Sequence, residues 1–218
     1  MNKYIDHTLL KANATLKDIL ELCEQAKDYN FKTVCINGAW VKAASTALCH
    51  SEVEVCAVIG FPLGANSTQV KVFEAKQAIA DGANEIDMVI NIGKLIENDI
   101  AYVENEIAEI KAAINDHVLK VIIETALLTD EQKVAATQAV VNAKADFVKT
   151  STGFSTAGAT VADVKLLASV AHPTVKVKAA GGVKSKADFE AMIAAGADRI
   201  GTSSGIALLK DESISSGY

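Results

Sequence analysis

Residues 78–87 read AIADGANEID, residues 141–149 read VNAKADFVK, and residues 193–201 read IAAGADRIG. All three run in one order: the end of an apolar-periodic segment, a Gly or Lys, an Ala, an Asp or Asn, then a strand-like run. Glycine adopts the left-handed conformation that ends many helices at little steric cost, so Gly82 and Gly196 read as helix C-caps. Each stretch is a helix-to-strand joint, and three copies of one joint point to a repeated βα unit.

Working outward, short β-branched runs recur at YIDHTL (4–9), TVCIN (33–37), EVCAVIG (54–60), EIDMVIN (85–91), LKVIIET (119–125), FVKTS (147–151), VKVKAA (175–180) and RIGTS (199–203). Between them, helical periodicity predicts helices over 15–27, 67–81, 100–115, 130–143, 160–170 and 185–195. The first opens on a capping-box-like pair, Thr15 and Asp18, and its spacing puts Leu16, Ile19, Leu20 and Cys23 on one face. Eight alternating units, with no Pro/Gly/Ser-rich linker, predict one domain over 1–218 with the (β/α)8 TIM-barrel fold. A doubly wound open sheet is the alternative. Such sheets usually carry a Gly-rich loop after the first strand, and none follows YIDHTL or TVCIN.

The totals agree with a barrel. Half of the 218 residues are hydrophobic and only 5% aromatic, so the core is built from Ala, Val, Ile and Leu, as in parallel sheets covered by helices. Lys and Arg number 21 against 27 acidic residues, with no basic run, which argues against nucleic-acid binding. Cys23, Cys35, Cys49 and Cys56 show no CxxC spacing and read as reduced thiols, with Cys35 a buried structural one. No apolar stretch approaches the ~18 residues that span a bilayer, and the N-terminus lacks an apolar targeting core. A soluble, cytoplasmic protein without membrane partners is expected. The four histidines are scattered and no His/Asp/Glu set has ligand spacing, so no metal is expected.

In a barrel of this kind the active site lies at the C-terminal ends of the strands. FVKTS carries Lys149 there and VKVKAA carries Lys176 and Lys178, which share a face by alternation. If Lys149 and Lys178 both point inward, burial and mutual repulsion favour loss of one proton. The product is a nucleophilic amine suited to Schiff-base chemistry with carbonyl compounds. The alternative is a lysine that snorkels past a helix to water. Asp87, mid-strand in an apolar run, needs a partner. It could work as an acid/base group or belong to a structural ion pair. Asp6 and Lys120 could be two halves of an internal salt bridge. After the seventh and eighth strands come AAGGVKS (179–185) and GTSSG (201–205), backbone-rich loops of the type that cradle phosphate, and STGF (151–154) could add a third wall.

With these residues set out, the chain resembles the deoxyribose-phosphate aldolase family over nearly its whole length, through DHTLLK (6–11), EIDMVIN, LKVIIET, FVKTSTGF (147–154), VKAAGGV (177–183) and GTSSG. The resemblance implies a TIM barrel, commonly dimeric, that needs neither metal nor cofactor and cleaves 2-deoxyribose 5-phosphate reversibly to glyceraldehyde 3-phosphate and acetaldehyde. It further implies Lys149 as the Schiff-base lysine, Lys178 as the second lysine and Asp87 as the acid/base partner through a water. Gly153, Gly181, Gly182, Gly201, Ser203, Ser204 and Lys184 would hold the phosphate, and Asp6, Thr8 and Lys120 would surround the site. Ala12 and Gly38 stand where proline is common in the family. Residues 211–218, DESISSGY, are polar and expected to be mobile, and Tyr218 matches a terminal tyrosine that assists proton transfer in some members.

Overall fold

In the computed structural model, which describes residues 1–212, the eight strands are β1 (Ile5–Leu9), β2 (Thr33–Asn37), β3 (Glu54–Ile59), β4 (Glu85–Val89), β5 (Val118–Ile122), β6 (Phe147–Lys149), β7 (Lys176–Ala180) and β8 (Arg199–Thr202). Each pairs in parallel with the next and β8 pairs with β1, so the sheet closes. The helices are α1 (Leu16–Asp28), α2 (Val41–Ala47), α3 (Thr68–Ala80), α4 (Ile92–Ile96), α5 (Ile100–Ile114), α6 (Asp130–Asn142), α7 (Val161–Ala171), α8 (Lys186–Ala194) and α9 (Gly205–Lys210). None among the described residues is long and apolar enough to cross a membrane. Tyr218 lies outside the described residues.

The repeated joint has a physical basis. Gly82, Lys144 and Gly196 take φ of 106°, 58° and 111°. The next N–H in each case (Ala83, Ala145, Ala197) reaches back to the carbonyl of Ala78, Val140 or Met192 at 2.9, 3.2 and 3.0 Å, the bond that closes a Schellman cap. Asn30, with φ 48°, makes a fourth copy after α1, where Phe31 N–H donates to Ala26 at 3.0 Å. The recurring Asp or Asn is explained too. Asn84, Asp146 and Asp198 accept from the N–H groups of Val55, Leu119 and Val177 at 2.9, 2.8 and 2.8 Å, tying each new strand to the one before it.

Lys144 occupies the position that two of the joints fill with glycine. A side chain in this conformation costs roughly 1–2 kcal/mol, against about 0.5–1 kcal/mol of chain entropy for glycine. Lys144 is exposed, so Lys144→Gly should stabilise the fold by up to about 1 kcal/mol and raise Tm by roughly 2–4 °C. An unchanged or lower Tm in calorimetry would contradict this account of the joint.

Strand alternation divides the chemistry. Val34, Ile36, Ile86, Met88, Leu119, Val121, Val148, Val177 and Ile200 belong to the apolar core shared with the helices. The opposite set, including Asp6, Cys35, Glu85, Asp87, Lys120 and Lys178, is equally buried but fills the barrel interior. On α1 the capping box forms as expected, but the buried face is Ile19, Leu22, Cys23 and Ala26. Leu16 and Leu20 lie one position off that stripe and remain exposed. A second buried pair steadies the exit of β4. Lys71 Nζ bonds Glu106 Oε1 at 2.7 Å and the Val89 carbonyl at 2.9 Å, and Glu106 Oε2 accepts from Asn91 N–H at 3.0 Å.

Candidate active site

Register brings the predicted residues together. Lys149 on β6 is the direct partner of Lys178 on β7, and Asp87 on β4 is the partner of Lys120 on β5. Lys149 therefore faces inward, and Asp87 is the point on which the lysines converge. Its Oδ2 accepts from Lys149 Nζ at 2.7 Å and Lys178 Nζ at 2.8 Å, and its Oδ1 accepts from Lys120 Nζ at 2.8 Å. The two lysines do not confront each other directly, since one carboxylate oxygen is shared between them.

Asp6 forms the floor on the β1 side. Its Oδ2 lies 2.5 Å from Lys178 Nζ and its Oδ1 accepts from Arg199 Nη1 at 2.7 Å. Its approach to Lys120 is looser, at 3.9 Å, and the closest carboxylate to Lys120 is Glu85 at 2.5 Å. The expected Asp6–Lys120 pair is thus part of a larger network with Glu85 and Arg199. Lys176, which alternation alone could not separate from Lys178, lies at the exposed start of β7 over the Phe147 ring.

The electrostatics follow from this geometry. Burial alone would raise Asp87 and Asp6. For Asp87 the charges of Lys120, Lys149 and Lys178 outweigh burial, and for Asp6 those of Lys178, Arg199 and Lys120 do so, holding both carboxyls well below the usual range. Burial likewise works against Lys120 and Lys178. Asp87, Glu85 and Asp6 reverse it for Lys120, and Asp6 and Asp87 reverse it for Lys178, so both stay above the ordinary lysine value.

Two cysteines complete the wall. Cys35 and Cys56 are register partners on β2 and β3, and Cys56 Sγ donates to Asp87 Oδ1 at 3.1 Å and accepts from Lys120 at 3.3 Å. Burial and the neighbouring Cys35 push the Cys56 thiol well up, while a hydrogen bond with Cys56 draws Cys35 down. The two sulfurs and a carboxylate oxygen of Asp87 lie within 4.8 Å of one another. Three ammonium groups already occupy that carboxylate, so the set forms a hydrogen-bonded network and is poorly suited to a cation. Leu10, Val58 and Phe61 extend an apolar patch from the cysteines. Phe61 meets Phe154 edge-on at 5.3 Å, joining the β3–α3 and β6–α7 loops.

The loops expected to hold phosphate are stacked on one another. Gly153, Gly181 and Gly182 all have positive φ. Gly158, absent from the sequence reading, lies so close to this turn that a Cβ on it would come within 2.4 Å of the Gly181 carbonyl carbon. Ala159 N–H secures the contact, donating to the Ala180 and Gly181 carbonyls at 3.1 and 3.2 Å. Gly201 sits deeper, on β8, where a Cβ would approach Lys178 Cε to 3.1 Å, so its bareness makes room for that lysine. Lys184 is exposed just before α8. Ser203 and Ser204 precede α9 and line a cleft of about 520 Å³ with Thr8, Lys11 and Asn13, whose walls do not include Lys149. Thr8 is buried, and its hydroxyl donates to the Asp6 carbonyl at 2.9 Å.

The sequence reading missed Glu85, Arg199, Cys56 and Glu124. Glu85 shares parity with Asp87, and Arg199 pairs in register with Lys178, so strand alternation would have flagged both once the register was known. Glu124 follows β5 in a left-handed conformation (φ 57°, ψ 69°) that nothing in LKVIIET announces.

Residues 1–212 match the DeoC/LacD family aldolase model. A deoxyribose-phosphate aldolase of Streptococcus gordonii is 54% identical over all of this chain and 99% of its own length. Among solved structures, a putative deoxyribose-phosphate aldolase from Coccidioides immitis superposes with a TM-score of 0.94 at 40% identity, covering 96% of this chain and 84% of that one. The deoxyribose phosphate aldolase of Aeropyrum pernix, described as tetrameric, gives a TM-score of 0.88 at 36% identity, covering 96% of this chain and 89% of its own. Match, identity and coverage together make this chain a member of the DeoC/LacD aldolase family.

Proposed function

We propose that this chain cleaves 2-deoxy-D-ribose 5-phosphate reversibly to D-glyceraldehyde 3-phosphate and acetaldehyde, with Lys149 as the Schiff-base amine. The observation that carries the reading is a charge count. Among the described residues, the ion-pair network around Asp87 joins three carboxylates (Asp6, Glu85, Asp87) to four cationic side chains (Lys120, Lys149, Lys178, Arg199), with the buried Glu124 carboxyl outside it on Thr152. Lys120, Lys178 and Arg199 each touch two or more carboxylates, whereas the ion pair of Lys149 is with Asp87. Lys149 is therefore the lysine of this network held by the fewest carboxylates, and the one that reaches the surface, at 3% exposure.

Neutral Lys149 attacks C1 of the open-chain aldehyde, and loss of water gives a protonated imine. Imine formation leaves that nitrogen one proton where the ammonium had three, which frees a lone pair on Asp87 Oδ2. A water there, between Asp87 and Lys178, takes the proton from the C3 hydroxyl as it passes one of its own to Asp87. The C2–C3 bond breaks with its electron pair passing to the imine, and the same relay later returns that proton to C2 of the enamine. Glyceraldehyde 3-phosphate leaves, and the enamine is protonated at C2 and hydrolysed to acetaldehyde. Phosphate held by the loops around Gly153, Gly181, Gly182, Ser203 and Ser204, with Lys184 nearby, fixes the far end of the sugar. Binding energy remote from the reacting bond is then used to align it.

Borohydride reduction in the presence of acetaldehyde should leave a two-carbon adduct on Lys149, located by peptide mass spectrometry. An adduct on any other residue would falsify the assignment, and no adduct at all would favour a barrel that merely binds phosphate esters. The protein is further proposed to be a cytoplasmic homodimer. The exposed Val70 and Phe73 on α3 offer an apolar face for self-association, and sedimentation equilibrium distinguishes dimer from monomer or tetramer.

A further inference from the structure

The chemistry above leaves one proton without a donor. Expelling water from the carbinolamine on Lys149 requires an acid at the departing oxygen, and Asp87 with Lys178 is engaged at the C3 hydroxyl. Glu124 is a buried carboxyl group that no step uses. It lies two residues beyond Ile122, whose Cα pairs with that of Lys149 across β5 and β6. At 2% exposure and φ 57°, it combines a desolvated carboxyl with a left-handed backbone, which for a residue bearing a Cβ costs roughly 1–3 kcal/mol.

Its contacts are with Thr152, on the segment that follows the reacting lysine. Oε2 accepts from Thr152 N–H at 3.2 Å and takes a short hydrogen bond from the Thr152 hydroxyl. Thr152 lies three residues after Lys149, and its Oγ1 also accepts from Phe154 N–H at 3.0 Å. A hydroxyl has one proton and two lone pairs, so when Glu124 is protonated and donates across this short contact, Glu124 and Phe154 N–H fill the two lone pairs and the hydroxyl proton is left to donate to a ligand. Lys149 on β6 is the charged group facing Glu124, and Thr152 is its neutral polar contact. Burial pushes the Glu124 carboxyl up, against the lowering pull of Thr152 and Lys149.

Building on Lys149 as the Schiff-base amine, we infer that Glu124 is a positioning acid for imine formation, acting through the Thr152 hydroxyl on the carbinolamine. The Glu124 carboxyl proton passes to Thr152 Oγ1 while the Thr152 hydroxyl proton passes to the carbinolamine oxygen. The C–O bond breaks, the nitrogen lone pair closes the C=N bond, water departs, and Glu124 is left as carboxylate. When the product imine is hydrolysed, the attacking water returns its proton by the same route, and Glu124 ends the cycle protonated.

The test is the rate of imine formation with acetaldehyde, measured by rapid mixing, borohydride quench and mass spectrometry across pH. Glu124→Gln keeps an oxygen that can accept both Thr152 hydrogen bonds, yet should slow imine formation roughly 10²-fold, the contribution of a typical general acid. It should also abolish the decline in rate that the wild type shows as Glu124 ionises with rising pH. Thr152→Val should behave like Glu124→Gln, and Thr152→Ser should stay within about twofold of wild type because the hydroxyl is retained. Wild-type rate and pH profile in Glu124→Gln would overturn the proposal, as would a wild-type rate in Thr152→Val. If Glu124→Gln does not fold, the Thr152→Val and Thr152→Ser pair decides alone. An adduct away from Lys149 in the wild type would defeat the Schiff-base assignment itself, whereas an adduct on Lys149 formed at an unaltered rate in Glu124→Gln defeats only the role of Glu124.

Discussion

Lys149→Leu is expected to lower kcat/KM for 2-deoxyribose 5-phosphate by at least about 10⁴-fold, equivalent to about 5 kcal/mol of transition-state stabilisation. Leucine removes the attacking nitrogen, and with it the imine that would accept the electron pair of the breaking C2–C3 bond. No neighbour can take over. Lys178 and Lys120 are fully buried, and each is bound by two or more carboxylates that hold its proton. The substitution should nevertheless leave the fold intact. It removes one positive charge from a network with one more cation than carboxylate, so the remaining charges balance as Asp6, Glu85 and Asp87 against Lys120, Lys178 and Arg199. A Tm within a few degrees of wild type, together with loss of the trapped adduct, is the expected signature. Activity within tenfold of wild type would place the reacting amine elsewhere. Lys149→Arg should be as inactive as the leucine variant, because a guanidinium keeps the charge but supplies no neutral amine.

The barrel was legible because its sequence repeats a device with a local cause. The Gly or Lys that turns left-handed and the Asp or Asn that bonds the preceding strand occur within a few residues of each other, so AIADGANEID and IAAGADRIG disclose the joint without tertiary information. The helices left unpredicted, α2, α4 and α9, have seven, five and six residues, at most about two turns, so the 3.6-residue hydrophobic pattern does not repeat often enough to stand out. Lys149 and Asp87 were legible for a different reason: each is a charge set in an apolar strand, an arrangement that demands a partner, whereas Lys178 was told from Lys176 only by the family resemblance. Glu85 and Arg199 begin their strands, where a charged residue ordinarily reaches water, and only closure of the barrel carries them inside. Cys56 and Glu124 depended on three-dimensional facts, the register of β2 with β3 and one left-handed residue after β5. The fold was encoded in local chemistry, whereas much of the site was encoded in register, which a linear pattern does not display.

Asp87→Asn should make stability rise with pH through the neutral range relative to the wild type, as well as remove activity. In the wild type the depressed Asp87 and Asp6 carboxyls contribute stability that is present above the unfolded aspartate value of ~3.9 and is lost as pH falls toward their folded values. Lys120 and Lys178, raised in the folded state, contribute stability that is fully present below the unfolded lysine value of ~10.4 and is lost as pH climbs above it. Between those limits these four groups add no slope, and the shifted Glu124, Glu106 and His7 titrate there in wild type and variant alike, so the variant is read as a difference from the wild type. Asparagine keeps the shape but removes the charge on which Lys120, Lys149 and Lys178 converge. Breaking a buried ion pair by removing one partner costs about 3–5 kcal/mol, so Tm at neutral pH should fall by roughly 10 °C. The lysine left with least compensation then sheds its proton more readily folded than unfolded. The unfolded variant then binds more protons than the folded one, and its stability rises with pH relative to the wild type across this range. Chemical denaturation of both proteins at several pH values between ~6 and ~9 reads this difference directly. A variant profile parallel to that of the wild type would mean that the excess charge is dissipated by some route other than proton loss, and the charge count that assigns Lys149 its role would lose its basis.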